Sequence, residues 1–281
     1  MTGRLRVGAW SLLASSALAQ PLFVDLASDL GLSDYVATTG DAHGPGGVFT
    51  DLDLDGYPDL YLVHGPEVTS GNVLYINVPG VGGGRSFLAP AGAMGANDAG
   101  PATGAIAGDY DNDGDLDLYV TNFDAPNVLY RNMLKEGGVL KFVDVTARTD
   151  PTPGVEDDQW GVGIAYADGV ALDNSVTAAW ADVDRDGDLD LYVGNHNGWY
   201  QRPIEGPFDV PGRRDVFYLN NGNGTFTERT MEAGVPGFVT DGGAFVTSNQ
   251  RFSSTNAVVF ADVDNDRWPD LFVTNKIGGP D

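Results

Sequence analysis

Four times along the chain, three aspartates alternate with other residues and a fourth closes a stretch of nine. The stretches are Asp51-Leu-Asp53-Leu-Asp55-Gly56-Tyr57-Pro-Asp59 and Asp109-Tyr-Asp111-Asn-Asp113-Gly114-Asp115-Leu-Asp117, then Asp182-Val-Asp184-Arg-Asp186-Gly187-Asp188-Leu-Asp190 and Asp262-Val-Asp264-Asn-Asp266-Arg267-Trp268-Pro-Asp270. Each reads D-x-D-x-D-G-x-x-D except the last, where Arg267 stands in place of the glycine. Two ionised carboxylates about 4 Å apart repel by about 4 kcal/mol at an effective dielectric of about 20, so such a cluster must open, protonate or hold a cation. The stretches begin 58, 73 and 80 residues apart. That period is too long for one coil of a solenoid and suits a small sheet per repeat.

The flanks supply the sheet. Upstream stand GVFT at 47–50, AIAG at 105–108, AAWA at 178–181 and VVFA at 258–261; downstream stand LYLV at 60–63, LYVT at 118–121, LYVG at 191–194 and LFVT at 271–274. The downstream runs are apolar on both alternating faces, which predicts strands buried on both sides. A third element follows in three repeats, NVLYIN at 72–77, NVLYRN at 127–132 and DVFYLN at 215–220, and a fourth centres on Phe87, Phe142 and Phe226. The turns Gly82-Gly-Gly84-Arg85 and Asn221-Gly-Asn-Gly224 introduce two of these last strands. Tandem four-stranded units with two apolar faces bury them best by packing blade on blade, so the predicted fold is an all-β β-propeller with the aspartate loop between the first two strands of each blade. Independent β-sandwich modules would need linkers, and no Ser/Pro/Thr-rich segment supplies them. The insertions at 151–174, 197–214 and 236–256 read as surface loops, and 39 Gly with 16 Pro fit the many turns.

Hard oxygen ligands on a flexible loop suit calcium better than zinc or copper, and magnesium, which demands strict octahedral geometry, fits less well. An EF-hand would carry Glu at its twelfth position, where this chain has Leu62, Val120, Val193 and Val273. With 0 Cys there is no disulfide and no thiolate site, so up to four Ca2+ ions would serve as the staples of an exported protein.

The aspartate stretches with their N-x-[LF]-Y-x-N partners resemble the FG-GAP and VCBS repeats of integrin α-subunit propellers and of secreted bacterial proteins, over residues 22–281. The resemblance implies one calcium ion per loop, ligated by side chains of the first, third, fifth and ninth residues and by the carbonyl of the seventh. In loop 1 these are Asp51, Asp53, Asp55, Tyr57 and Asp59; in loop 2, Asp109, Asp111, Asp113, Asp115 and Asp117. In loop 3 they are Asp182, Asp184, Asp186, Asp188 and Asp190; in loop 4, Asp262, Asp264, Asp266, Trp268 and Asp270. Glycine at the sixth position permits a positive φ, so Arg267 implies strain or a reshaped fourth loop.

Residues 1–19 read as a signal peptide: Arg4 and Arg6, a short apolar run, and an A-x-A site before Gln20. The remainder, 20–281, is the expected propeller, secreted, periplasmic or at the cell surface. A net charge of −25 argues against nucleic acid and anionic lipid as partners, and no later segment reads as a membrane span. His43, His64 and His196 fall in no zinc spacing and beside no nucleophile elbow. Trp160, Tyr166, Trp199 and Tyr200, in or beside the insertions, are candidates for stacking on sugars or partner side chains. Two functions are thus expected: an adhesion or interaction scaffold for a protein or polysaccharide, favoured by the scarcity of His and basic residues, or a polysaccharide-modifying lyase or dehydratase. The fourth repeat lacks its last two strands, which predicts an incomplete ring at the front of a larger propeller. The alternative is closure by an N-terminal strand at 23–27, which resembles FVDVT at 142–146.

Overall fold

The computed structural model describes residues 25–32, 46–65, 71–123, 125–146, 175–195, 215–230, 232–234 and 254–276. Blade 1 is β1 (Gly47–Thr50), β2 (Asp59–Leu62), β3 (Val73–Pro79) and β4 (Arg85–Leu88). Blade 2 is β5 (Ala102–Gly108), β6 (Asp117–Asn122), β7 (Val128–Asn132) and β8 (Phe142–Asp144), with the one-turn helix α1 (Leu134–Gly137) before its last strand. Blade 3 is β9 (Ser175–Ala181), β10 (Asp190–Asn195), β11 (Val216–Asn220) and β12 (Phe226–Glu228), and the fourth unit holds β13 (Ser254–Ala261) and β14 (Asp270–Lys276). Strands within each sheet lie in chain order and pair antiparallel. The inner strands β1, β5, β9 and β13 follow one another side by side. The architecture is therefore all-β, in consecutive antiparallel sheets of the kind that make propeller blades. No helix among the described residues is long and apolar enough to cross a membrane.

The alternation of side chains explains the packing. On β6, Leu118 and Val120 point back to blade 1 and join Tyr61, Val63, Leu74, Ile76 and Phe142 in one core cluster. Tyr119, between them, points forward and joins Leu191, Val193, Tyr218 and Phe226 of blade 3 in a second. Both faces of a middle blade are thus dry, and truncating Leu191 to Ala at such a site typically costs about 2–5 kcal/mol. Trp180 stacks edge-on to Tyr119 at 6.2 Å, and Gly108 permits that approach, since a Cβ there would sit 2.7 Å from the Trp180 ring. The end blades are wetter: Phe49 is 62% exposed, Val259 55% and Phe272 47%.

Two expectations are corrected. The loop expected at 236–256 overlaps β13, which starts at Ser254, because Thr255, Ala257 and Val258 pair with β14. Of the strand expected at 23–27, residues 23 and 24 lie outside the described residues and 25–27 lead into a turn, closed by Leu30 N–H on Leu26 O (2.9 Å) and Leu32 N–H on Ala27 O (2.8 Å). The likeness to 142–146 survives locally: Ala27 N–H bonds Asp25 Oδ1 at 3.0 Å, as Thr146 N–H bonds Asp144 Oδ1 at 2.9 Å. This turn docks on the outer strand of blade 1 through Phe87 N–H on Leu30 O (2.7 Å). The signal peptide, His43, His196 and the insertion aromatics lie outside the described residues.

Candidate metal centre

Each loop is wound by its own carboxylates. The first aspartate accepts backbone N–H groups from four and five residues on: Asp51 from Asp55 (3.1 Å) and Gly56 (2.9 Å), Asp109 from Asp113 and Gly114 (3.1 Å each), Asp262 from Asp266 (3.1 Å) and Arg267 (2.8 Å). Asp182 takes only the Gly187 N–H, at 3.2 Å. The ninth aspartate closes the loop from the other side. Asp59 accepts Leu52 N–H (3.0 Å) and Asn77 N–H (2.8 Å), Asp117 accepts Tyr110 N–H (3.1 Å) and Asn132 N–H (2.8 Å), and Asp190 accepts Val183 and Asn220 N–H (2.9 Å each). These three ninth-position carboxylates are buried, at 0%, 0% and 1% exposure.

The winding gathers the first, third and ninth aspartates of every loop. One oxygen from each of Asp51, Asp53 and Asp59 lies within 4.8 Å of the others, and the same holds for Asp109, Asp111 and Asp117, for Asp182, Asp184 and Asp190, and for Asp262, Asp264 and Asp270. With calcium–oxygen distances of about 2.3–2.6 Å, oxygens that close fit around one ion. The fifth aspartates, Asp55, Asp113, Asp186 and Asp266, stand outside these triplets. Each accepts the N–H of the seventh residue, at 2.9, 3.0, 2.9 and 2.7 Å. Among the seventh residues, Tyr57 lies under the Arg85 guanidinium (3.6 Å) and Trp268 under that of Arg185 (3.7 Å). Asp115 accepts Lys135 N–H (2.9 Å) and Asp188 accepts Asn112 Nδ2 (2.6 Å).

The electrostatics fit a cation. Asp111 Oδ1, Asp115 Oδ1 and Asp182 Oδ1 are buried and accept no hydrogen bond, which leaves three loop oxygens with lone pairs aimed at nothing the protein supplies. Burial pushes Asp117 up to about 8 against the pull of the Asn132 N–H, and pushes Asp190 up to about 6. Asp53 and Asp59 are raised by the same desolvation. A divalent ion would repay that cost by replacing water around the clustered oxygens.

The fourth loop keeps its shape. Arg267 adopts φ 74°, beside 90°, 92° and 99° at Gly56, Gly114 and Gly187, so the chain accepts strain rather than a new loop path. A second left-handed position escapes the motif: the fourth residues Leu54, Asn112, Arg185 and Asn265 have φ 58°, 59°, 64° and 66°. Two of them reach the next blade: Asn112 Nδ2 meets Gly187 O (3.2 Å) and Arg185 Nη2 meets Asp266 O (3.2 Å). Arg131 and Glu136 also enter the loop 2 cluster, and the motif holds no signal for Glu136, which reaches it from α1. His64 is buried behind β2, with its N–H on Asn72 Oδ1 at 2.9 Å and its imidazole pKa lowered by burial.

No curated protein matches the chain. Residues 51–120, from the first aspartate of loop 1 to the middle of β6, match the family model described as an FG-GAP-like repeat.

Proposed function

We propose that the chain is a secreted, calcium-stabilised β-propeller array that acts as an interaction scaffold for a protein or polysaccharide ligand bound by its surface loops. One observation carries the reading: in all four loops the first, third and ninth carboxylates converge within 4.8 Å, and nothing in three of the four triplets neutralises them among the described residues. The FG-GAP-like match over 51–120 supports an extracellular interaction module. The residues that would hold the ion are those triplets, and when bound it would supply charge neutralisation and a clamp on the loop that joins the two strands of each β1–β2-type hairpin. The protein's part is to wind the loop, bury the ninth carboxylate and keep water from the inner oxygens.

Extracellular calcium modules bind at about 0.1–1 mM; at about 0.1 mM affinity and about 1 mM free calcium each site adds about 1.4 kcal/mol. Four sites would then contribute about 5–6 kcal/mol, comparable with the whole stability of an ordinary domain. Calorimetric melts of the full chain in excess chelator and in millimolar calcium test this. The expected outcome is a loss of several degrees on chelation, and superimposable melts would reject the reading. Screening the calcium-loaded protein on a glycan array and against immobilised extracellular-matrix proteins tests the scaffold role, with binding expected to disappear in chelator.

A further inference from the structure

Arg131 sets blade 2 apart. The fifth position of the N-x-[LF]-Y-x-N strand is Ile76 in blade 1 and Leu219 in blade 3, but a guanidinium in blade 2. It is folded back over loop 2: its Nε lies 2.7 Å from Asp111 Oδ2, and its Nη2 lies 3.4 Å from Asp113 Oδ2 and pairs with Glu136. The side chain is only 25% exposed. Asp111 is the third residue of the loop and belongs to the triplet with Asp109 and Asp117. In loop 1 the nearest arginine, Arg85, pairs with no carboxylate of the triplet: it meets the fifth residue, Asp55, at 3.4 Å, lies over the Tyr57 ring, and is otherwise spent on Asn77 Oδ1 (2.7 Å) and Asn77 O (2.6 Å). No ion pair engages the carboxylates of loops 3 and 4 among the described residues.

We propose that Arg131 is a built-in counter-ion of loop 2, competing with the divalent cation for Asp111 and so making this loop the weakest calcium site while holding it closed when the metal is absent. The inference rests on the calcium reading above and adds the regulation of one site within it. A tethered guanidinium acts at a high effective concentration and is not washed away. For an ion to take Asp111 it must share the carboxylate with a neighbouring positive charge, or drive the arginine off it. Asp113 and Glu136, already on the same guanidinium, give the displaced group a second seat, so the exchange breaks no fold. Calcium then fills loop 2 only after the other loops, and the chain keeps one site responsive at concentrations that saturate the rest.

The test is isothermal titration of the full chain with calcium chloride, with melts in chelator, for the parent, Arg131→Leu, Arg131→Gln and Arg131→Lys. Leucine is the residue that blade 3 carries at this place, and glutamine keeps a donor without the charge. In both, one binding step is expected to tighten by about tenfold or more, the scale on which groups behind a metal ligand act, or to appear where the parent shows none. The melt in chelator should fall by a few degrees, Arg131→Lys should keep the parental affinity, and adding Asp111→Asn to Arg131→Leu should abolish the tightened step. If the leucine and glutamine variants leave every step within twofold, or weaken one, the counter-ion role is overturned while calcium binding stands. If neither parent nor variants take up calcium, the underlying reading fails and this inference with it.

Discussion

Asn220 Nδ2 donates to the carbonyl of Tyr110 at 2.8 Å, joining two residues 110 positions apart in the chain and one blade apart in space. Asn132 Nδ2 does the same to Leu52 O at 3.0 Å, and both side chains also hold the carbonyl before their own ninth aspartate, Leu189 at 3.1 Å and Leu116 at 3.2 Å. In blades 2 and 3 the last asparagine of the third strand thus clips its own loop to the second residue of the preceding one, and an ion held in that loop would sit beside the clip.

Truncating Asn220 to Ala would take the donor from one buried carbonyl, Tyr110, and one half-buried carbonyl, Leu189, at about 1–3 kcal/mol for a buried group and less for the other. Asn220→Ala should therefore lose about 2–4 kcal/mol in urea denaturation. Asn77→Ala should lose less, because Asn77 Nδ2 meets only the Pro58 carbonyl of its own blade. Equal losses would show that the contact between blades adds nothing.

Leu54 holds a left-handed backbone at φ 58°, where Asn112 and Asn265 hold the same place in their loops at 59° and 66°. Leucine is poorly suited to that conformation and asparagine tolerates it, a difference of about 1 kcal/mol. Leu54→Asn is expected to raise the melting temperature by a few degrees. Arg267→Gly should act likewise at φ 74°, with a smaller gain because glycine also frees the unfolded chain. A drop in either melt would place the value of these residues in side-chain contacts instead.

The strand order, the aspartate loops and the two-faced cores were legible in the sequence because each rests on a short period: two along a strand, and nine residues within a loop. Leu118 against Tyr119 is enough to say that both faces of β6 are dry. What long-range geometry decides was not legible. The N-x-[LF]-Y-x-N motif marks a strand but not that its final asparagine reaches Leu52 or Tyr110 in another blade. The left-handed fourth residue carries no shared side-chain type, since Leu54, Asn112, Arg185 and Asn265 differ in everything but backbone. The fifth aspartate's carboxylate caps the seventh N–H in every loop, and in loop 2 Asp113 also gathers with Asp111 and Glu136, a grouping that the nine-residue motif does not announce.

Asp215 replaces the asparagine that opens the other two third strands, Asn72 and Asn127. It is buried, accepting Asn195 N–H (2.7 Å), Tyr192 O–H (2.7 Å) and Thr255 Oγ1 of the next blade (2.7 Å), and burial raises its pKa despite these donors. A raised carboxylate binds its proton in the folded state before the unfolded chain does, so stability falls as pH climbs from about 4 through the raised value. Asp215→Asn removes this slope, and Asn72 and Asn127 show that the amide can fill the role by donating to Tyr61 Oη (3.0 Å) and Ser175 Oγ (2.9 Å). The variant should melt higher than the parent at pH 8 and no higher at pH 4. A parental slope retained in the variant would assign the pH dependence to other groups.

Asp117, pushed up to about 8 by burial, and Asp190, pushed up to about 6, make the same argument inside the loops, with calcium as the competing cation. In chelator, stability should fall as pH rises between about 4 and 8, because the folded protein gives up protons that the unfolded chain has already lost. Calcium needs the ionised carboxylates, so its stabilisation should grow over the same interval. The rise in melting temperature on adding millimolar calcium is therefore expected to be small at pH 5 and largest at pH 8. Asp117→Asn should flatten the chelated curve and shrink the calcium gain together, since one carboxylate carries both effects. A calcium gain that stays constant with pH, or that survives undiminished in Asp117→Asn, would mean that the ion sits elsewhere.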